Sequence, residues 1–185
     1  MKKILISFLF FILPFGAINA QMLAINIEAP PELTVTVTTD GVLDYGTVLQ
    51  NYSYDILLDD PKTEIISIEG KKNKSVEVTI AAQDLMLDAS NTIPYTLGAS
   101  YANQGEESKN QAESFNGNTA TFEVNDSQGS RNENSNNQGN SNATGGGGGQ
   151  SNATAYVYIY GSIDVGNVRA GTYTGQITIS VSYAN

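Results

Sequence analysis

Residues Thr172–Tyr183, TYTGQITISVSY, decide how the rest of the chain is read. Ile177, Ile179, Val181 and Tyr183 share one parity, while Thr178, Ser180 and Ser182 take the other. Alternation sustained over that length sets one face of an extended strand in a core and the other in water. Just upstream, Ala155–Val165 (AYVYIYGSIDV) repeats the rhythm. With Val157, Ile159, Ile163 and Val165 turned to the core, Tyr156, Tyr158 and Tyr160 stand together on the opposite face.

Further upstream the same pattern recurs. Leu33, Val35 and Val37 alternate with Thr34, Thr36 and Thr38, and Asp40-Gly41 supplies a turn. Val42–Val48 is a second short strand. Tyr52, Tyr54, Ile56 and Leu58 share a parity up to Asp59-Asp60-Pro61, and Glu64–Glu69 is closed by Gly70. Val76, Val78, Ile80 and Ala82 oppose Glu77 and Thr79. Ile93, Tyr95, Leu97 and Tyr101 follow, with Pro94 marking an edge position or a bulge because it has no N–H to donate. Ala120, Phe122 and Val124 form one more run. No stretch reads as a convincing helix. The pattern predicts about seven to nine strands in two packed antiparallel sheets. A closed barrel would satisfy the same alternation.

The first twenty residues are set apart from the fold. Lys2 and Lys3 precede an apolar run from Ile4 to Phe15, and Ala20 ends the segment before Gln21. That order is the one of a secretory signal peptide over residues 1–20. The run is shorter than the stretch of about 20 apolar residues that spans a bilayer, so no transmembrane segment is expected in the mature chain. With no cysteine in the sequence, there is no site for lipid acylation. The mature protein is expected to begin at Gln21, as a single domain over residues 21–185, located in the periplasm, at the cell surface or outside the cell.

Two of the nine basic residues leave with the leader and all nineteen acidic ones stay, so the net charge moves from −10 to −12. An acidic surface repels phosphate backbones, which argues against nucleic-acid partners. Without cysteine, burial and sheet hydrogen bonds alone must hold an exported fold. Without histidine, Ser-His-Asp and Cys-His nucleophilic sites and histidine-containing zinc sites cannot be built. Carboxylate-pair hydrolysis stays chemically open, but no insertion forms a cleft that brings two carboxylates together. No enzyme, cofactor or metal is therefore expected.

A segment from about residue 103 to 153 breaks the strand rhythm. Its later part is rich in Asn, Ser, Gln and Gly and ends in the run Gly145–Gly149. Such a composition buries too little apolar surface to offset its ordering entropy, so a mobile loop is expected. It is an insertion between strands, since the strands after it are needed to close the sheet. The glycine run lacks the Lys-Ser/Thr and the helix that would make it a phosphate loop.

The stretch GSIDVGNVRAGTYTGQITISVSY, residues 161–183, resembles the closing signature of the domain of unknown function 4402 family. LDYGTV at Leu43–Val48 is similar to that family's opening strand, and residues 62–101 would supply the middle. The resemblance implies a small exported bacterial β-sandwich, similar to spore coat protein U and to fimbrial subunits. It implies a fold and a location rather than an activity. The fold expected from both lines is all-β: an antiparallel, immunoglobulin-like or pilin-like sandwich carrying a long disordered polar loop. The last strand also resembles the assembly strand of chaperone–usher pilins, making Ile177, Ile179, Val181 and Tyr183 candidate assembly residues. In those proteins a strand from a neighbouring subunit completes the sandwich. Gln21–Glu32, with Met22, Leu23, Ile25 and Ile27, is a candidate donor; an ordinary edge strand or a disordered leader is the plainer reading.

Four features carry functional weight. Tyr156, Tyr158 and Tyr160 could form an exposed face for glycans or a protein partner, against the plainer reading that they are strand formers covered by a loop. Gly171, Tyr173 and Gly175 are expected to form a structural turn in which the Tyr173 ring packs and its hydroxyl reaches the backbone. Asp59-Asp60 and Asp84/Asp88 are oxygen-rich, but no spaced calcium loop is present, so solvated turn acids are expected. The Asn-x-Ser/Thr triplets at Asn51, Asn73, Asn125, Asn142 and Asn152 arise readily in so polar a chain. The function expected is that of an exported structural or adhesive subunit, pilin-like or coat-like, associating with itself or with other surface subunits. The alternative is a surface module binding carbohydrate or another ligand through the tyrosine face.

Overall fold

The computed structural model describes residues 17–125 and 151–184, with side chains from residue 21 onward. Thirteen strands and one 3-10 turn make up these residues. In chain order the strands are β1 (Ala17–Glu28), β2 (Thr34–Val37), β3 (Val42–Leu49), β4 (Tyr52–Ile56) and β5 (Glu64–Lys71). β6 (Lys74–Ala82), β7 (Leu85–Asp88), β8 (Asn91–Ile93) and β9 (Tyr95–Ala102) follow. After the 3-10 turn Lys109–Gln111 come β10 (Glu113–Ser114), β11 (Thr119–Val124), β12 (Asn152–Val165) and β13 (Tyr173–Tyr183).

These strands build an all-β sandwich of two sheets. One sheet runs β11-β6-β13-β1-β3, with the β7–β8 hairpin continuing beside β13 where β6 has ended. The other runs β10-β9-β12-β5-β2. The fourteen residues of β12 hold β5 along their first half and β4 along their second. Every pairing is antiparallel except β1 with β13, which is parallel.

The core follows the alternation. Val76, Val78 and Ile80 on β6, Val157, Ile159, Ile163 and Val165 on β12, and Ile177, Ile179 and Val181 on β13 are all buried together. At about 25 cal/mol per Å² of apolar surface, each such side chain contributes on the order of 1.5–3 kcal/mol.

Three placements differ from the sequence reading. Pro94 is neither at an edge nor in a bulge: it separates β8 from β9, which lie in different sheets. A residue without an N–H falls where the chain leaves one ladder for the other, and no bond is lost. Gly70 does not close β5. The strand runs through it, and a Cβ there would come within 2.8 Å of Leu33. The third is β1, which is neither an edge strand nor a disordered leader but lies between β13 and β3. Leu23 is fully buried, and Ile25 and Ile27 pack partly against the core, so the segment has one apolar face to offer.

The segment expected as a loop is structured in its first part, where β10 and β11 form; β11 places Ala120, Phe122 and Val124 in the core. The rest of the low-complexity stretch, residues 126–150, lies outside the described residues, as do residues 1–16 of the expected leader.

Candidate functional site

β12 carries the tyrosine stripe, and its outer face is only partly open. Tyr158 is fully buried, and Tyr156 and Tyr160 are half-buried. The covering comes from the segment after β9. Tyr158 packs with Ile65 and Ala102, and Leu58 and Ala112 lie against the same small cluster. Its hydroxyl accepts a hydrogen bond from the Ser108 backbone N–H at 2.8 Å. Burial raises the Tyr158 pKa, so the group stays a neutral phenol. The expected row of three open rings is therefore interrupted at its centre by a loop, the plainer of the two readings.

Beyond this cover, β12 is held by two further phenols. Tyr95 donates to the Tyr160 carbonyl at 2.7 Å, and Tyr45 donates to the Gly161 carbonyl at 2.8 Å. Both hydroxyls are pushed well above the usual phenol range, first by burial, with the Asp55 charge adding to it for Tyr45. Gly161 has φ +150°, and a Cβ there would lie 2.2 Å from the Thr96 carbonyl. Only glycine fits this point, where β12 passes from β5 to β4. The one signal in the sequence was a lone glycine inside an apolar strand; the roles of Tyr45 and Tyr95 carried none.

Of the two half-buried rings, Tyr160 lines a shallow recess. Its ring lies across Gly98, its cross-strand partner on β9, where a Cβ would meet the ring at 2.4 Å. The Tyr160 hydroxyl is 2.9 Å from the Ser100 hydroxyl. Leu97 and Leu57 line the same recess with Asp55 and Ser162, and Leu57 is 61% exposed.

The turn residues lie at the start of β13. Tyr173 is fully buried and donates to the Arg169 carbonyl at 2.8 Å, closing the loop that leads into the strand. Gly171 sits under Leu87, and a Cβ at Gly175 would stand 2.8 Å from Leu23 and 3.0 Å from the Asp84 carbonyl. Gly175 is thus needed for close approach, by the Leu23 side chain of β1 on one side and by the backbone between β6 and β7 on the other.

Ile177, Ile179 and Val181 point into the core, and the backbone of β13 is paired on both sides, by β6 and by β1. The candidate assembly strand is a central strand. Tyr183 is partly buried; its hydroxyl accepts from the Lys71 N–H at 2.9 Å and donates to the Glu32 carbonyl at 3.5 Å. It so ties the end of β5 to the connector that leads out of β1.

The acidic residues cap turns. Asp40 accepts from the Val42 N–H, Asp60 from the Lys62 N–H and Asp88 from the Ser90 N–H and the Asn91 side chain; Asp84 accepts from the Tyr95 N–H. The bonds to Asp88 hold its carboxyl below the usual range. Among the described residues no group of three or more potential ligands is gathered for a metal. Asn51 and Asn73 occupy tight turns at φ 63° and 60°, a conformation asparagine tolerates well, which accounts for their residue type. Glu64 is the exception among the acids: it is buried, and it accepts bonds from the Thr39 hydroxyl and the Gly41 N–H.

No family model matches the chain, and no curated protein sequence matches it. Among the described residues no helix is long and apolar enough to cross a membrane.

Proposed function

We propose that this protein is an exported structural or adhesive subunit of a bacterial surface, pilin-like or coat-like, that works by packing against further subunits and not by catalysis. The observation that supports this most is the place of β1. It is the first described strand, it is the parallel member of its sheet, and Pro30-Pro31 follow it in the connector to β2. With the leader removed, as this reading requires, β1 becomes a terminal strand, and a terminal strand that fills an interior slot can be exchanged for the same strand of a second copy without new contacts. When β1 leaves, β13 and β3 are both left with unpaired edges, which is the geometry of strand addition. The resemblance of residues 161–183 to small exported sandwich proteins points the same way.

Electron microscopy of concentrated, purified mature protein is the test, with a variant lacking Gln21–Glu32. Filaments or ordered assemblies from the intact chain, lost in the variant, are expected. Monomers at high concentration in both would overturn the reading.

The recess at Tyr160 favours a second reading, a ligand-binding surface. Tyr160→Ser, in a variant checked to be folded by its melting curve, should abolish binding on a glycan array. An intact protein with no array signal ends that reading.

A further inference from the structure

Gln21 is out of place in its surroundings. It is 0% exposed, and neither its side-chain oxygen nor its side-chain nitrogen has a hydrogen-bond partner. It sits between two shifts of register on β1, opposite Gly46 on β3 and Tyr173 on β13. Buried amides are nearly always bonded, because an orphaned donor or acceptor keeps the whole cost of leaving water. An ordinary glutamine is therefore a poor occupant of this slot.

The same residue is the expected first residue of the mature chain. Cleavage after Ala20 would leave an α-amino group on Gln21, ordinarily protonated at neutral pH. A charge brought into a buried position is costlier than the amide alone unless it finds a partner. Glutamine at an amino terminus has its own remedy. The neutral α-amine attacks the side-chain carbonyl carbon, a bond forms between the amine nitrogen and Cδ, and the bond from Cδ to Nε2 breaks. Ammonia leaves with the transferred proton. The five-membered lactam that remains carries no charge, one N–H and the retained carbonyl. It holds fewer polar hydrogens than the amide and the ammonium it replaces. No oxidant or co-reactant is needed. The reaction takes place while the new terminus is still free, before β1 docks.

We propose that the mature chain begins at Gln21 and that this residue is closed to pyroglutamate, seated uncharged between β13 and β3. The proposal rests on the export reading, and the test separates the two. The full-length chain is expressed in an exporting bacterial host, and the exported protein is analysed by intact mass and by fragmentation of its first peptide. A synthetic peptide with an amino-terminal glutamine is carried through the same handling to measure cyclisation during work-up. The expected result is a first peptide beginning at residue 21, one ammonia lighter than its sequence, blocked to Edman degradation and opened by pyroglutamate aminopeptidase. The same start with a free amine overturns the modification and leaves the export reading standing. A processed start at another residue overturns the modification and leaves the export reading standing, whereas a leader still attached overturns both.

Gln21→Ala supplies a second measurement, since alanine keeps its amine. Its melting temperature should rise between neutral and alkaline pH as the amine loses its proton, while the cyclised wild type shows no such rise. Parallel pH profiles of the two would overturn the proposal.

Discussion

β13 has two flanks, and they are built differently. On one side β6 pairs with it antiparallel from Ile177↔Ala82 to Tyr183↔Val76, and β6 comes from the middle of the chain. On the other side β1 pairs with it in parallel from Gln21↔Tyr173 to Glu28↔Ser180 and comes from the start. Both ladders are long, and both strands bury apolar side chains in one core. The β6 flank cannot leave without unravelling β11 and the chain on either side. Among the described residues the β1 flank is joined to the rest at one end only, through the connector to β2. Equal pairing thus does not mean equal permanence, because stability is local and the least anchored unit opens first.

The largest effect should come from the anchored flank. Ile80→Ala removes a fully buried side chain facing β13, and the deletion should cost about 2–5 kcal/mol. Chemical denaturation should show one cooperative transition at lower denaturant, with exchange protection reduced throughout. Leu23→Ala makes a comparable cavity on β1 and should cost about 2–4 kcal/mol. Here hydrogen exchange should show loss of protection confined to β1 and the edges of β3 and β13 that face it, with β6 unaffected. Uniform loss in both variants would erase the contrast between the flanks.

Gly175→Ala probes the seam itself. The new methyl would press on Leu23 and on the fixed Asp84 carbonyl, at a cost of about 1–3 kcal/mol. Combined with Leu23→Ala it should cost less than the sum, because the shortened side chain makes room on one side. Additivity would mean that Leu23 is not what Gly175 accommodates. Tyr173→Phe, at the start of the same seam, removes one hydrogen bond to the Arg169 carbonyl and should cost about 1 kcal/mol in thermal melts.

The smallest effect lies away from β13. Burial is the main reason the Glu64 carboxyl titrates above its ordinary range, with the neighbouring Asp40 also raising it. The folded chain then holds this proton more tightly than the unfolded chain. The stabilisation is present below the unfolded pKa and is lost as pH rises through the folded one. Glu64→Gln should therefore flatten the fall in melting temperature between mildly acid and neutral pH. An unchanged slope would mean that Glu64 does not set it.

The alternating residues of β6, β12 and β13 were legible in the sequence because a period of two needs only a strand and a core to produce it. The turn at Asp40-Gly41 and the packing of Tyr173 were legible for the same reason: their geometry is set within a few residues. The sequence by itself therefore determined the all-β class and which face of most strands is apolar. Only the tertiary structure decided which strands are neighbours. It put β1 into the interior, crossed Pro94 from one sheet to the other, and closed the segment after β9 over Tyr158. The physical reason is that a strand's own pattern records the side from which water is excluded. Which strand lies beside it is settled by backbone bonds between segments far apart in the chain, and those bonds carry no side-chain signature.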